Sequence, residues 1–141
     1  MLKQDYVNET FKLIAILENS WDFIFSKVWL TVKTYSILHL ISVWVNTSKD
    51  LLNWTYWSKP NMAKKLKFLE ENWFVDRKID EFDKRVFRFF HTKKAKNALQ
   101  IVSPIYENSI NIIFDWIDFK DLEISFSVVR KALDNLWKCT K

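Results

Sequence analysis

No glycine occurs anywhere in these 141 residues, and that absence restricts the fold more than any motif does. Glycine reaches φ > 0 without the clash a Cβ imposes, so two-residue hairpins, glycine bulges and glycine helix caps rely on it. A soluble domain ordinarily carries about 7%. A sheet built of several tight hairpins is therefore disfavoured. Phosphate-cradling loops of the Walker or Rossmann kind are excluded. Asparagine can serve some turns, so the expected pattern is helices with Asn-bearing connections, punctuated by Pro60 and Pro104.

Apolar spacing supports helices along most of the chain. Phe11, Ile14, Leu17, Trp21, Ile24 and Val28 keep one helical stripe. In the segment Phe68 to Phe90, Val75, Ile79, Phe82, Val86 and Phe89 recur at alternating steps of four and three. That spacing predicts an amphipathic helix, with Asp80–Lys84 and Glu81–Arg85 as favourable i,i+4 pairs. Ser103 and Pro104 read as the cap and first residue of another helix, carrying Tyr106, Ile110, Ile113 and Ile117. A turn near Asp118–Asp121 then leads to a last stripe of Leu122, Phe126, Val129, Leu133 and Leu136.

The run Val28 to Val45, VWLTVKTYSILHLISVWV, is apolar on every side. Such a helix belongs in the middle of a bundle or in lipid. Its Val, Ile, Thr and Trp content makes a strand the rival reading. A Lys near a bilayer centre costs about 2.5–3.5 kcal/mol, and Lys33 and His39 would lie deep in a span. The run is expected to be a central bundle helix, its Trp44 end open to a partner or a lipid interface.

No arrangement of reactive side chains stands out. His39 and His91 lack a second ligand at metal spacing, and Cys139 is the single cysteine, so no metal site and no cofactor are expected. Acid pairs such as Glu70/Glu71 and Asp80/Glu81 sit among Lys and Arg and read as solvated surface rather than general acid–base chemistry. No enzymatic activity and no small-molecule substrate follow.

Two features point to binding. Residues 61–103 hold eleven Lys and Arg against six acids, although the whole chain is only +5. Lys64, Lys65, Lys67, Arg85, Arg88, Lys93, Lys94 and Lys96 form a basic set interleaved with Phe. Anionic headgroups and nucleic-acid phosphates both reward such cations. Trp29, Trp44, Trp54, Tyr56 and Trp57 cluster on and after the apolar run. Trp and Tyr favour protein interfaces and membrane–water boundaries.

The expected architecture is all-α, a single compact bundle of four or five helices with a central apolar helix, one domain over residues 1–141. The expected function is a non-catalytic interaction protein. It would dock its aromatic-rich surface on a protein partner, a second copy of itself or an anionic membrane surface. Nucleic-acid binding through the basic middle segment is the alternative and ranks below these. An intracellular, reducing compartment is expected, peripheral to a membrane.

Overall fold

The computed structural model describes residues 2–139. In chain order it forms α1 (Lys3–Ser26), α2 (Val32–Ser42), α3 (Ser48–Thr55), α4 (Lys59–Glu71), β1 (Val75–Ile79), β2 (Phe87–His91), α5 (Lys93–Ile113) and α6 (Phe119–Cys139). The residues group into two compact units, one ending at Tyr106 and one beginning at Glu107. The expected all-α bundle of four or five helices is thus corrected: the described residues hold six helices and an antiparallel two-stranded sheet.

The first unit is built around α2. Ile37 and Leu38 of that helix are fully buried, together with Phe25 of α1, Leu51 of α3, Met62 and Leu69 of α4, and Phe74 and Val75 at β1. Ala95, Ala98 and Val102 close the core from α5. At one edge Phe25 stacks on Tyr35 at 4.2 Å, and Trp21 meets Tyr106 edge-on at 4.9 Å. The apolar run at residues 28–45 is not one helix. It is broken at Trp29, between α1 and α2, and again at Trp44 after α2.

Both breaks are helix endings of one kind. The amide of Leu30 donates to the Phe25 carbonyl at 3.0 Å, that of Val45 to Leu40 at 3.0 Å and that of Phe74 to Leu69 at 2.8 Å. One residue earlier, Trp29, Trp44 and Trp73 donate to Ser26, Ile41 and Glu70, each at 3.1 Å. This pair of bonds is the Schellman ending, which places its C′ residue in the left-handed region. Trp29, Trp44 and Trp73 have φ of 64°, 68° and 62°. Tyr56 after α3 and Trp116 before α6 are left-handed too, at 56° and 66°. Tight helix endings therefore form without glycine, with an aromatic residue at every left-handed position among the described residues.

The segment 68–90 departs furthest from expectation. α4 stops at Glu71, and Val75–Ile79 pairs antiparallel with Phe87–His91, Val75 opposite His91 and Ile79 opposite Phe87. Residues four apart share a stripe on a helix and also a face on a strand, so Val75 and Ile79 fit both periods. The alternation of Phe87, Phe89 and His91 carries the strand signal. The hairpin needs no glycine because its loop is long. Asp80 Oδ1 accepts from the amides of Phe82 at 2.8 Å and Asp83 at 2.9 Å, which folds residues 80–83 back with φ < 0 throughout.

α5 begins at Lys93 and runs through Pro104, so Ser103 and Pro104 lie inside a helix rather than at its start. In the second unit Asp118 caps α6, its Oδ1 accepting from the Lys120 amide at 2.8 Å. Among the described residues, α6 buries none.

Candidate nucleic-acid interface

Two short helices and the hairpin converge on one side of the first unit. Thr47 caps α3, its Oγ1 accepting from the Asp50 amide at 3.1 Å. Ser58 caps α4, accepting from Asn61 at 3.3 Å, with Pro60 in the first turn. Tyr56, left-handed, and Trp57 form the turn between them. Met62, Leu66 and Leu69 bury one face of α4, which leaves Pro60, Ala63, Lys64 and Lys67 outward.

The hairpin is fastened to this pair of helices. Arg88 forms an ion pair with Asp80 through Nε and donates from Nη1 to Asn46 Oδ1 at 3.0 Å. The Phe89 amide donates to the Asn46 carbonyl at 2.9 Å, and Thr47 pairs with Arg88 in an isolated antiparallel bridge. Hydrogen bonds from the Asp83 amide, the Arg88 side chain and the Phe82 amide lower the Asp80 pKa from 3.8 to about 2. Asp80 is therefore ionised at neutral pH and holds the loop together.

Between α3, α4 and the hairpin lies an open cleft of about 530 Å³, its walls carrying Lys49, Lys67, Arg77 and Arg85 around Leu66 and Phe87. The one acid lining it, Glu70, pairs with Arg77 at 3.3 Å. Lys67 lies 3.8 Å from Glu71, an exposed and therefore weak pair. The cleft thus presents excess positive charge next to the outward face of α4.

The sequence-derived basic set divides here. Lys64, Lys67 and Arg85 belong to this surface. Lys65 turns inward: burial lowers its pKa, Lys33 and Lys64 add to the shift, and its Nζ lies 5.8 Å over the Trp57 ring. Arg88 is engaged by Asp80 and Asn46. Lys94 donates to the Asn72 carbonyl at 2.7 Å and covers Phe74. Lys93, Lys94 and Lys96 start α5 next to the base of the hairpin, whereas Arg85 lies past its other end, roughly 13 Å along β2. Lys49 and Arg77 were not anticipated. Lys49 reads in sequence as a flank of the apolar run and Arg77 as the solvent side of a helix.

The aromatic set is distributed over turns. Trp29, Trp44 and Tyr56 are the left-handed turn residues already described, Trp54 is exposed on α3, and Trp57 packs half-buried against the core. His91 Nε2 donates to the Leu38 carbonyl at 2.7 Å, tying β2 to α2; burial, with Lys96 adding, lowers its pKa against the opposing pull of the Leu38 hydrogen bond. His39 is exposed against Tyr35. Among the described residues no group of His, Cys and acids is placed to hold a metal ion, and no helix is long and apolar enough to cross a membrane.

A helix–turn–helix followed at once by a hairpin fastened to it defines a winged helix. No family model and no curated protein matches this sequence, but solved structures share the fold. A MarR protein from Peptoclostridium difficile superposes with a TM-score of 0.85 at 21% identity, covering 100% of this chain and 95% of its own. AbsC, a MarR family transcriptional regulator from Streptomyces coelicolor, gives 0.86 at 20%, covering 96% and 95%. The M. tuberculosis transcriptional regulator MosR, solved with DNA, gives 0.77 at 18%, covering 92% and 96%. At these identities the likeness establishes the fold. It also corrects the expected order of partners and the expected membrane-associated, protein-docking character: two of the proteins that share this fold are named as transcriptional regulators, and one of those was solved with DNA.

Proposed function

We propose that this chain is a DNA-binding regulator of transcription that acts as a dimer and catalyses no reaction. One observation carries the reading. The outward face of α4, with Lys64 and Lys67, continues into a cleft lined by Lys49, Arg77 and Arg85. α4 has 13 residues, about 20 Å of helix, and a major groove about 12 Å wide admits such a cylinder. Lys and Arg on both flanks then meet the phosphates, which position the protein. Ala63, beside Lys64 and Lys67, is small enough to lie against base edges.

Dimerisation is supported by the second unit. α6 exposes Phe126, Val129, Leu133 and Leu136, spaced by three and four on one face, a stripe of the kind that proteins cover with a partner. A second copy fits a helix–turn–helix, which as a dimer reads two half-sites about one helical turn apart.

The test is affinity for duplexes chosen by the chain from a random-sequence library, measured by fluorescence anisotropy across salt concentrations. Log affinity falls linearly with log salt, with a slope near −0.9 per phosphate neutralised. Lys67→Ala with Arg85→Ala flattens the slope by about two phosphates' worth. Failure to bind any duplex at roughly 50 mM salt overturns the reading.

A further inference from the structure

Resting on the DNA-binding reading, we propose that Phe82, at the tip of the hairpin, is an apolar wedge that enters the minor groove and partly unstacks one base step. Phe82 is 95% exposed, among the most exposed large apolar side chains of the chain. It fills no core, and its position is not slack. Asp80 accepts from the Phe82 and Asp83 amides, the Asp80 amide donates to the Val86 carbonyl at 2.9 Å, and the Arg85 amide donates to Asp83 Oδ1 at 3.0 Å. Arg88 and Asn46 carry that rigidity into the helices. A fixed turn thus holds an aromatic ring in water.

The surroundings match a groove rather than a protein pocket. Ile79 and Phe87, opposite each other at the last pair of the ladder, are 58% and 41% exposed, so the end of the hairpin is apolar. Lys84 and Arg85 follow in the same loop and are exposed, where they can reach phosphates on either side of the ring. Glu81 and Asp83 oppose that attraction; the Asp83 carboxylate is turned onto the Arg85 amide. Proteins that enter the minor groove use Phe, Leu, Ile or Met to part base steps, and pyrimidine–purine steps yield most readily. The wedge therefore supplies a preference for TA or CA/TG steps beneath the tip.

The experiment places 2-aminopurine in turn at each position of a duplex selected by the full chain. The wild-type chain raises fluorescence at one step in each half-site. Phe82→Ala abolishes that rise and weakens binding about tenfold, with the salt slope unchanged. Phe82→Leu, still a wedge, retains the rise. Lys84→Ala lowers the salt slope and leaves the rise in place. A wild-type chain that binds without unstacking, or an alanine variant that unstacks equally, overturns the wedge and leaves the DNA-binding reading standing. A wild-type chain that binds no duplex removes both.

A separate observation carries a second inference. Three Schellman endings each place tryptophan where the geometry calls for glycine, Trp116 repeats the conformation, and the chain holds no glycine but eight tryptophans. We infer that positions 29, 44, 73 and 116 are glycine positions whose codon is read as glycine in the cell that makes this chain. Peptide mass spectrometry of the chain isolated from that cell finds glycine at these positions. Tryptophan there overturns the inference.

Discussion

Trp29, Trp44 and Trp73 occupy equivalent places in three helix endings, and each is a bulky residue held at positive φ. The left-handed conformation costs an L-residue roughly 1–2 kcal/mol. The residue after each tryptophan shows what holds it there: Leu30 and Phe74 are buried and Val45 packs on the core, so the turn is imposed from the apolar side. Trp44 and Trp73 are 79% and 74% exposed, so little packing offsets the cost. Trp44→Gly and Trp73→Gly should each stabilise the fold by about 1 kcal/mol, read as a raised midpoint in urea denaturation. A lowered midpoint would mean that the indoles make contacts worth more than the backbone strain.

The hairpin shows how an element can be hidden in a sequence. The α6 stripe and the Asp118 cap were legible, because apolar spacing and a capping acid point the same way there. The α1 stripe was legible for the same reason of spacing. Between Phe68 and Phe90 they conflict. Val75 and Ile79 satisfy both periods, Phe82 and Val86 continue the helical one by chance from the loop, and a glycine-free chain gives no turn signal. Of the basic cleft and the α4 face beside it, Lys64, Lys67 and Arg85 stand out by charge alone. Lys49 and Arg77 do not, since only the hairpin brings them to one cleft. The same element carries an acid switch. Asp80 has a folded pKa lowered to about 2 from 3.8, so its contribution is complete above about 4 and is lost as pH falls through about 2. The protection factors of the Phe82 and Asp83 amides should therefore fall over that interval, and in Asp80→Asn they should already be low at pH 7. Protection in that variant equal to the wild type would show that the carboxylate does not hold the turn.

At the scale of the molecule, one unit is a basic winged helix and the other exposes the apolar residues of α6. Composition raises the expectation that the aromatic and apolar excess meets a partner but does not say which, because charge patterning alone does not separate lipid from phosphodiester. Phe126, 66% exposed on α6, should be central to self-association. Phe126→Asp is expected to shift the chain from dimer to monomer in sedimentation and to weaken duplex binding, since two half-sites are no longer read together. A wild-type monomer at micromolar concentration would contradict the dimer while leaving the basic cleft intact.

If α4 and the hairpin together grip duplex DNA, as proposed, hydroxyl-radical footprinting of a selected duplex reads that grip at single-nucleotide detail. Two protected patches are expected, centred about 10–10.5 base pairs or a multiple of that apart, and they fade when Lys64 and Lys67 are replaced by Ala. Uniform cleavage in the presence of saturating protein, or patches unaffected by those replacements, would contradict the proposal.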